Sequence, residues 1–197
     1  GQINFPSAQA LYGIPERATD LALKSGSSYR LFNLDVFKYQ LEDTKGLYGA
    51  IPFLMGHSAS RSEPTSAILW LNSGDTTVEV QQQNEGGGES GMTTKWTSEQ
   101  GLPDIFFFQG PTPHDVQKQH ANVVGPTLLP PLFSLGYHQC RWNYRSEEDT
   151  LEVDHGFEVH DIPYDVLWLD IEHTDGKRYF TWDKYNFPNP KQMIEKV

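Results

Sequence analysis

The chain has 197 residues, with 37% apolar and 21% charged residues, enough for one large or two small packed domains and too apolar for wholesale disorder. Fifteen basic against 26 acidic residues give a net charge of −11, which opposes a polyanion and argues against nucleic acid as a partner. Cys140 is the only cysteine, which excludes an intrachain disulfide and a Cys-based zinc site, and no apolar run approaches the ~20 residues of a membrane span.

The opening Gly1-Gln2-Ile3-Asn4 carries neither Met nor a leader pattern, as expected of a processed or internal segment. From residue 1 to about 110 short apolar or alternating runs recur, at 29–36, 47–54, 65–71, 76–82 and 104–109. Turn-rich pieces such as Asn72-Ser-Gly-Asp75 separate them, a spacing that predicts a β-sandwich. Thr76-Thr-Val-Glu-Val80 alternates, so one of its faces should meet solvent. Ala67-Ile-Leu-Trp-Leu71 and Ile105-Phe-Phe-Phe108 do not alternate and should be covered on both faces. The Gly- and Gln-rich stretch 81–91 has no apolar anchor and is predicted to be a mobile loop.

A helix is predicted within 110–125. Thr112 is placed to cap it, Pro113 suits its first position, and Gly125 supplies the stop. Val116, His120 and Val123 or Val124 share one face. Pro126, Pro130 and Pro131 form a stiff linker, which sets the domain division at 1–125 and 126–197. A βαβ pattern follows. A first strand is expected at 133–137, then a helix capped by Ser146 with Asp149 three residues on, a turn at 160–163, and a second strand at 165–171. Asn189 with Pro190 begins a last helix, whose apolar side starts with Met193, Ile194 and Val197. A (β/α)₈ barrel needs about 200 or more residues. The segment from 126 onward should therefore be stable only beside the remainder of such a barrel, as a continuation or a second chain, because its strand edges are unpaired.

Aromatic residues reach 13%, a share that suits either a sugar-binding cleft or aromatic-rich β-structure. Asp170 and Glu172 lie two apart on the expected second strand, hence on one face. Asp170 follows the apolar Val166-Leu-Trp-Leu169 run and needs hydrogen-bond partners: substrate hydroxyls, or a neighbour such as Arg141, His138 or Lys177. Trp142, after the first strand, can lie on a sugar face or in the core. Cys140 has no local base and reads as structural. His155 and His160 are five apart rather than four, no loop has EF-hand spacing, and no Gly-rich loop opens a helix, so neither a metal nor a cofactor is expected.

Leu132-Phe-Ser-Leu-Gly-Tyr-His-Gln-Cys-Arg-Trp-Asn-Tyr144 and Trp168-Leu-Asp-Ile-Glu-His-Thr-Asp-Gly-Lys-Arg-Tyr-Phe-Thr-Trp-Asp183 closely resemble glycoside hydrolase family 31 α-glucosidases. Leu11-Tyr-Gly-Ile-Pro-Glu-Arg-Ala18, Tyr29-Arg-Leu-Phe-Asn-Leu-Asp-Val36, Leu47-Tyr-Gly-Ala-Ile-Pro52 and Ile68-Leu-Trp-Leu-Asn72 are similar to that family's N-terminal domain, in order. The resemblance implies a mixed fold, a mutarotase-like β-sandwich followed by the first βα units of a (β/α)₈ TIM barrel. It implies a retaining exo-α-glucosidase acting on an oligosaccharide. Members of this kind in the endoplasmic reticulum lumen trim α-1,3-linked glucose from N-linked glycans beside a β subunit, without a membrane partner.

By the same resemblance Asp170 binds hydroxyls of the terminal glucose. Ile171 and Trp142 line that pocket, and Asp35 reaches it from a sandwich loop. The family's Trp-Asn-Asp-Met-Asn-Glu-Pro-like nucleophile motif and its later acid/base aspartate have no counterpart in these 197 residues. The expected set of catalytic residues within this chain is therefore empty, and the chain alone is expected to hydrolyse nothing. Two alternatives stay open: a cytosolic neutral α-glucosidase acting on α-1,4 glucans, and a non-catalytic carbohydrate-binding module.

Overall fold

The computed structural model describes residues 1–58, 64–83 and 91–197. It divides into two compact units, Gly1–Pro126 and Thr127–Val197.

The first unit is a pair of four-stranded antiparallel sheets. Its strands are β1 (Gln2–Phe5), β2 (Ala10–Gly13), β3 (Ser28–Leu31), β4 (Phe53–His57), β5 (Ser66–Trp70), β6 (Thr76–Gln83), β7 (Gly91–Ser98) and β8 (Ile105–Phe108). One sheet runs β1-β7-β6-β3 and the other β2-β4-β5-β8. Their inner faces share one core, with Tyr29, Val78, Val80, Met92 and Trp96 from the first sheet against Leu11, Leu54, Ile68 and Trp70 from the second. The alternation in β6 does what its pattern predicts, because Thr76, Val78 and Val80 are buried while Glu79 turns outward to pair with Lys95.

β5 is covered on both sides for a visible reason. Ile68 and Trp70 enter the sandwich core, while Ala67 and Leu69 pack with Phe108 of β8 and with Val116 of the helix α1 (Pro113–Val124). α1 forms as its end signals predict. Thr112 Oγ1 accepts from the Asp115 N–H, and the Asp115 carboxylate returns a bond to the Thr112 N–H. Val116 is fully buried, and the His120 ring lies 4.7 Å from Phe53 and 5.7 Å from Phe108.

Four expectations are corrected in this unit. The 29–36 run is a strand only to Leu31, after which the chain leaves the sheet. The 47–54 run yields a strand only from Phe53. Phe107 is exposed, because β8 is an edge strand whose outer neighbour position is empty among the described residues. Val123 and Val124 are exposed too, since the helix leaves the sheet after His120. Of the stretch 81–91, residues 81–83 extend β6 and Gly91 begins β7; the rest of that expected loop lies outside the described residues.

The second unit holds two short parallel strands, β9 (His138–Gln139) and β10 (Val166–Leu167), joined through the helix α2 (Glu147–Val159), with α3 (Pro190–Lys196) at its end. Ser146 caps α2 by accepting from the Asp149 N–H. The reciprocal half differs from a capping box, because the Asp149 carboxylate takes the Arg145 N–H and the Arg141 guanidinium instead. Tyr144, Thr150, Phe187 and Met193 are its buried side chains near the helices.

The expected strand at 133–137 is a 3₁₀ turn over Leu132–Leu135, and pairing starts only at His138. Among the described residues only β10 lies alongside, and it pairs at His138 and Gln139 alone. The second strand is likewise two residues rather than 165–171, with Trp168 exposed. Asp170 and Glu172 are thus not alternate residues of one strand; they begin a turn. Asn189 makes no side-chain cap at α3, and Ile194 and Val197 stay exposed while Met193 is buried.

Candidate functional site

The candidate side chains fall in both units. In the first, Asp35 rides on the connection from β3 of one sheet to β4 of the other. Its carboxylate is exposed and takes no partner among the described residues.

In the second unit the segments following the two parallel strands gather the rest. After β9, the Arg141 guanidinium stacks 4.5 Å over the Tyr144 ring and pairs with Asp149 at 2.7 Å. That contact fixes the turn from which Trp142 projects, with 55% of its surface exposed. The Trp142 indole N–H donates to Glu172 Oε1 at 3.1 Å, and Lys177 closes on the same oxygen. Glu172 is therefore held well below its ordinary value of 4.5, first by the Lys177 hydrogen bond and then by Trp142. Ionised at neutral pH, it accepts hydrogen bonds and is unsuited to give up a proton.

After β10, the Trp168 indole donates to His138 Nδ1 at 2.9 Å, while His138 Nε2 faces the Ser134 carbonyl at 3.0 Å. Nδ1 therefore acts as acceptor, and the donor toward the Ser134 carbonyl is Nε2. His173 Nδ1 lies 2.6 Å from the Asp170 carbonyl, and the ring packs 4.9 Å from Trp182, fixing the backbone of Asp170. Ile171 is half-buried, and its carbonyl accepts from both the amide and the hydroxyl of Thr174. The Asp170 carboxylate stands exposed with no protein partner among the described residues. Each neighbour that sequence offered it is engaged elsewhere: Arg141 with Asp149, Lys177 with Glu172, and His138 with Trp168.

The turn beyond Asp170 folds back on itself. Asp183 accepts from the Tyr185 N–H at 2.8 Å and from Asn186 Nδ2 at 2.7 Å, and its own N–H reaches the His173 carbonyl. These donors, the Tyr185 amide foremost, keep Asp183 below its ordinary carboxylate value. Between the limbs lies a polar cavity of about 450 Å³, lined by Asn143, Arg145, Glu172, Lys177, Asp183 and Asn186 among others. Asp170, Ile171 and Trp142 are not among its lining residues; Trp142 meets it through Glu172. Sequence reasoning left Lys177, Asp183 and Asn186 without a role in such a pocket. A signal was present: Asp175-Gly176 marks a turn, with Gly176 at φ +60°, and opposite charges flank it at Glu172 and Lys177.

The Glu172 contact has a pH signature. Its folded value is depressed, so what it adds to the turn is present above the ordinary value and lost as pH falls through the folded one. A carbon-detected NMR titration should place the Glu172 midpoint below 4.5, and Lys177→Met should return it toward 4.5. A midpoint at or above that value in the unaltered chain would remove the pair from the argument.

The chain runs from a two-sheet sandwich into two short parallel strands, with aromatic and carboxylate groups just beyond the strand ends, where enzymes of the (β/α)₈ barrel class carry their sites. Residues 1–79 match the glycosyl hydrolase 31 N-terminal galactose mutarotase-like domain, and residues 127–197 match the glycosyl hydrolases family 31 TIM-barrel domain. The chain belongs to glycosyl hydrolase family 31. It is 50% identical over 212 residues to a probable glucan 1,3-alpha-glucosidase of Arabidopsis thaliana, covering 99% of this chain and 23% of that protein. It is 50% identical over 204 residues to neutral alpha-glucosidase C of Homo sapiens, covering 94% of this chain and 22% of that protein. A crystal structure of an ER glucosidase II heterodimeric complex, of catalytic subunit and regulatory-subunit binding domain, superposes with a TM-score of 0.89. Its sequence identity is 42%, and the match covers 99% of this chain and 23% of that one. The chain thus spans under a quarter of the length of these relatives.

Proposed function

We propose that this polypeptide supplies glucose-binding groups to a retaining exo-α-glucosidase of the glucosidase II type, which removes α-1,3-linked glucose from N-linked glycans. Residues 1–125 act as its sandwich domain and 126–197 as the start of its catalytic barrel. Asp170 grips hydroxyls of the terminal glucose, Ile171 and Trp142 form apolar walls, and Asp35, on the sandwich loop, is a further substrate contact. The nucleophile and the acid/base belong to the remainder of the enzyme, since a retaining mechanism needs two carboxyl groups about 5 Å apart across the bond. Glu172, ionised and bound by Lys177, fits neither role.

The observation that carries this reading is the Asp170 carboxylate, exposed and without a protein partner among the described residues while Arg141, Lys177 and His138 are each engaged elsewhere, in the unit that also exposes the rings of Trp142 and Trp168. Flat aromatic faces and a charged acceptor are what a hexose offers partners to. The names of the similar proteins favour the α-1,3 linkage, a location in the endoplasmic reticulum lumen and a glucosidase II β subunit as partner. The second reading is a cytosolic neutral α-glucosidase acting on α-1,4 glucans, supported as to the neutral type by the likeness to neutral alpha-glucosidase C.

The test is complementation. The 197-residue chain is assayed alone, and again joined to the remaining part of a family 31 α-glucosidase. Glucose release from an α-1,3-glucosyl substrate is expected only from the joined protein. Release by the chain alone would overturn the assignment, as would a joined, folded protein that cleaves no α-glucoside. Preference for α-1,4 over α-1,3 substrate in the joined protein would select the second reading.

A further inference from the structure

Both backbone neighbours of Asp35 are fixed. On one side the Leu34 N–H donates to the Leu47 carbonyl at 2.7 Å. On the other the Tyr48 phenol donates to the Val36 carbonyl at 2.9 Å. The Asn33 side-chain amide donates to the Tyr48 carbonyl at 2.7 Å and closes the base of the loop. The limb that provides these partners is itself anchored. Leu47 N–H reaches the Glu16 carbonyl at 3.0 Å, Glu16 N–H reaches the Gly49 carbonyl at 2.8 Å, and Glu16 Oε2 accepts from the Gly49 N–H at 3.0 Å. Arg17 adds a clasp, donating to the Ile14 carbonyl at 2.9 Å and the Thr44 carbonyl at 3.0 Å, with its guanidinium 4.9 Å over the ring of the buried Tyr29. A continuous path therefore runs from the sandwich core through Glu16 and Arg17 to Tyr48, and from Tyr48 to the backbone beside Asp35.

We propose that Tyr48 is a positioning residue for Asp35: its phenol holds the loop tip so that the Asp35 carboxylate is presented to a saccharide hydroxyl from a fixed place. The proposal rests on the reading of Asp35 as a substrate contact. Tyr48 is largely exposed, so its ring adds little to the core, and the hydroxyl's bond is to a carbonyl one residue from the carboxylate that has no protein partner among the described residues. Without that bond the tip gains freedom that substrate binding must then remove, a cost that falls on affinity.

The test uses an active family 31 α-glucosidase carrying this chain, with Tyr48→Phe, Asp35→Ala and the double variant. Asp35→Ala removes a charged acceptor and is expected to raise KM about 10- to 100-fold. Tyr48→Phe is expected to raise KM about 3- to 10-fold with kcat and thermal midpoint unchanged, the signature of lost uniform binding. In the Asp35→Ala background Tyr48→Phe should add nothing, because the two act as one unit. Amide exchange at Leu34 should quicken in Tyr48→Phe, a readout independent of activity. Asp35→Ala costly with Tyr48→Phe silent overturns the positioning role and leaves Asp35 standing. An equal KM effect of Tyr48→Phe in both backgrounds, or unchanged Leu34 exchange, overturns it too. A silent Asp35→Ala removes the reading of Asp35 and the proposal with it.

Discussion

Replacing Asp170 with alanine, in an active α-glucosidase carrying this chain, is expected to lower kcat/KM by about 10²- to 10⁴-fold. The magnitude follows from the chemistry of the group. A hydrogen bond to an ionised carboxylate is worth roughly 1.5–3 kcal/mol, a carboxylate can hold two hydroxyls of one sugar, and every 1.4 kcal/mol is about tenfold. The loss should be almost wholly functional. Asp170 is exposed and bonds to no protein side chain among the described residues, so its removal leaves no buried group unsatisfied. Its backbone is held separately, through the carbonyl that faces His173. Thermal midpoint and the pH titration of Glu172 should therefore stay where they were. Steady-state kinetics on an aryl α-glucoside checks the first part and scanning calorimetry the second. A loss of less than fivefold, or a loss that follows the thermal midpoint, would take Asp170 out of the pocket.

How far the chain could be read without a structure depends on where its information is local. β6 and α1 are legible because each carries its own signal: a period of two in Thr76, Val78 and Val80, and an end signature in Thr112, Pro113 and Asp115. β5 is legible because both faces are apolar, and both meet a partner. β7 escapes, since Thr94 occupies a fully buried position between Met92 and Trp96 and interrupts the apolar period; its hydroxyl is satisfied by the Trp96 indole at 2.9 Å. β1 and β2 escape because each holds only two large apolar residues in four, whereas β8, equally short, is apolar throughout. The apolar runs at 133–137 and 165–171 mislead in the opposite sense. Composition suits a buried parallel strand, but a ladder extends only as far as a neighbouring strand lies alongside, and here the two strands pair over two residues. The site divides in the same way. Asp170, Ile171, Trp142 and Asp35 come from motif resemblance, whereas the Trp142–Glu172–Lys177 contact depends on a turn in which Lys177 takes φ +66°. No spacing rule announces a left-handed lysine.

Replacing Trp96 with alanine should cost the sandwich about 3–5 kcal/mol, a large part of the roughly 5–15 kcal/mol that holds a domain together. Trp96 comes from one sheet and Trp70 from the other, their rings stacked with centroids 5.3 Å apart, so this pair joins the two layers. Both are nearly inaccessible, Trp96 at 1% exposure, and each indole N–H is satisfied, Trp96 by Thr94 and Trp70 by Ser98 at 3.0 Å. Truncation to alanine removes the stacked area, opens a void that close-packed neighbours fill only in part, and leaves the Thr94 hydroxyl without its donor in the core. Trp96→Phe keeps most of the volume and loses only the indole N–H and the outer ring, so it should cost markedly less than the truncation. Urea unfolding followed by near-ultraviolet dichroism of the stacked indoles reads both effects at once, as a shift in midpoint and a loss of native signal. A Trp96→Ala protein with an unfolding free energy within about 1 kcal/mol of the parent would mean that the two sheets are held together somewhere other than this pair.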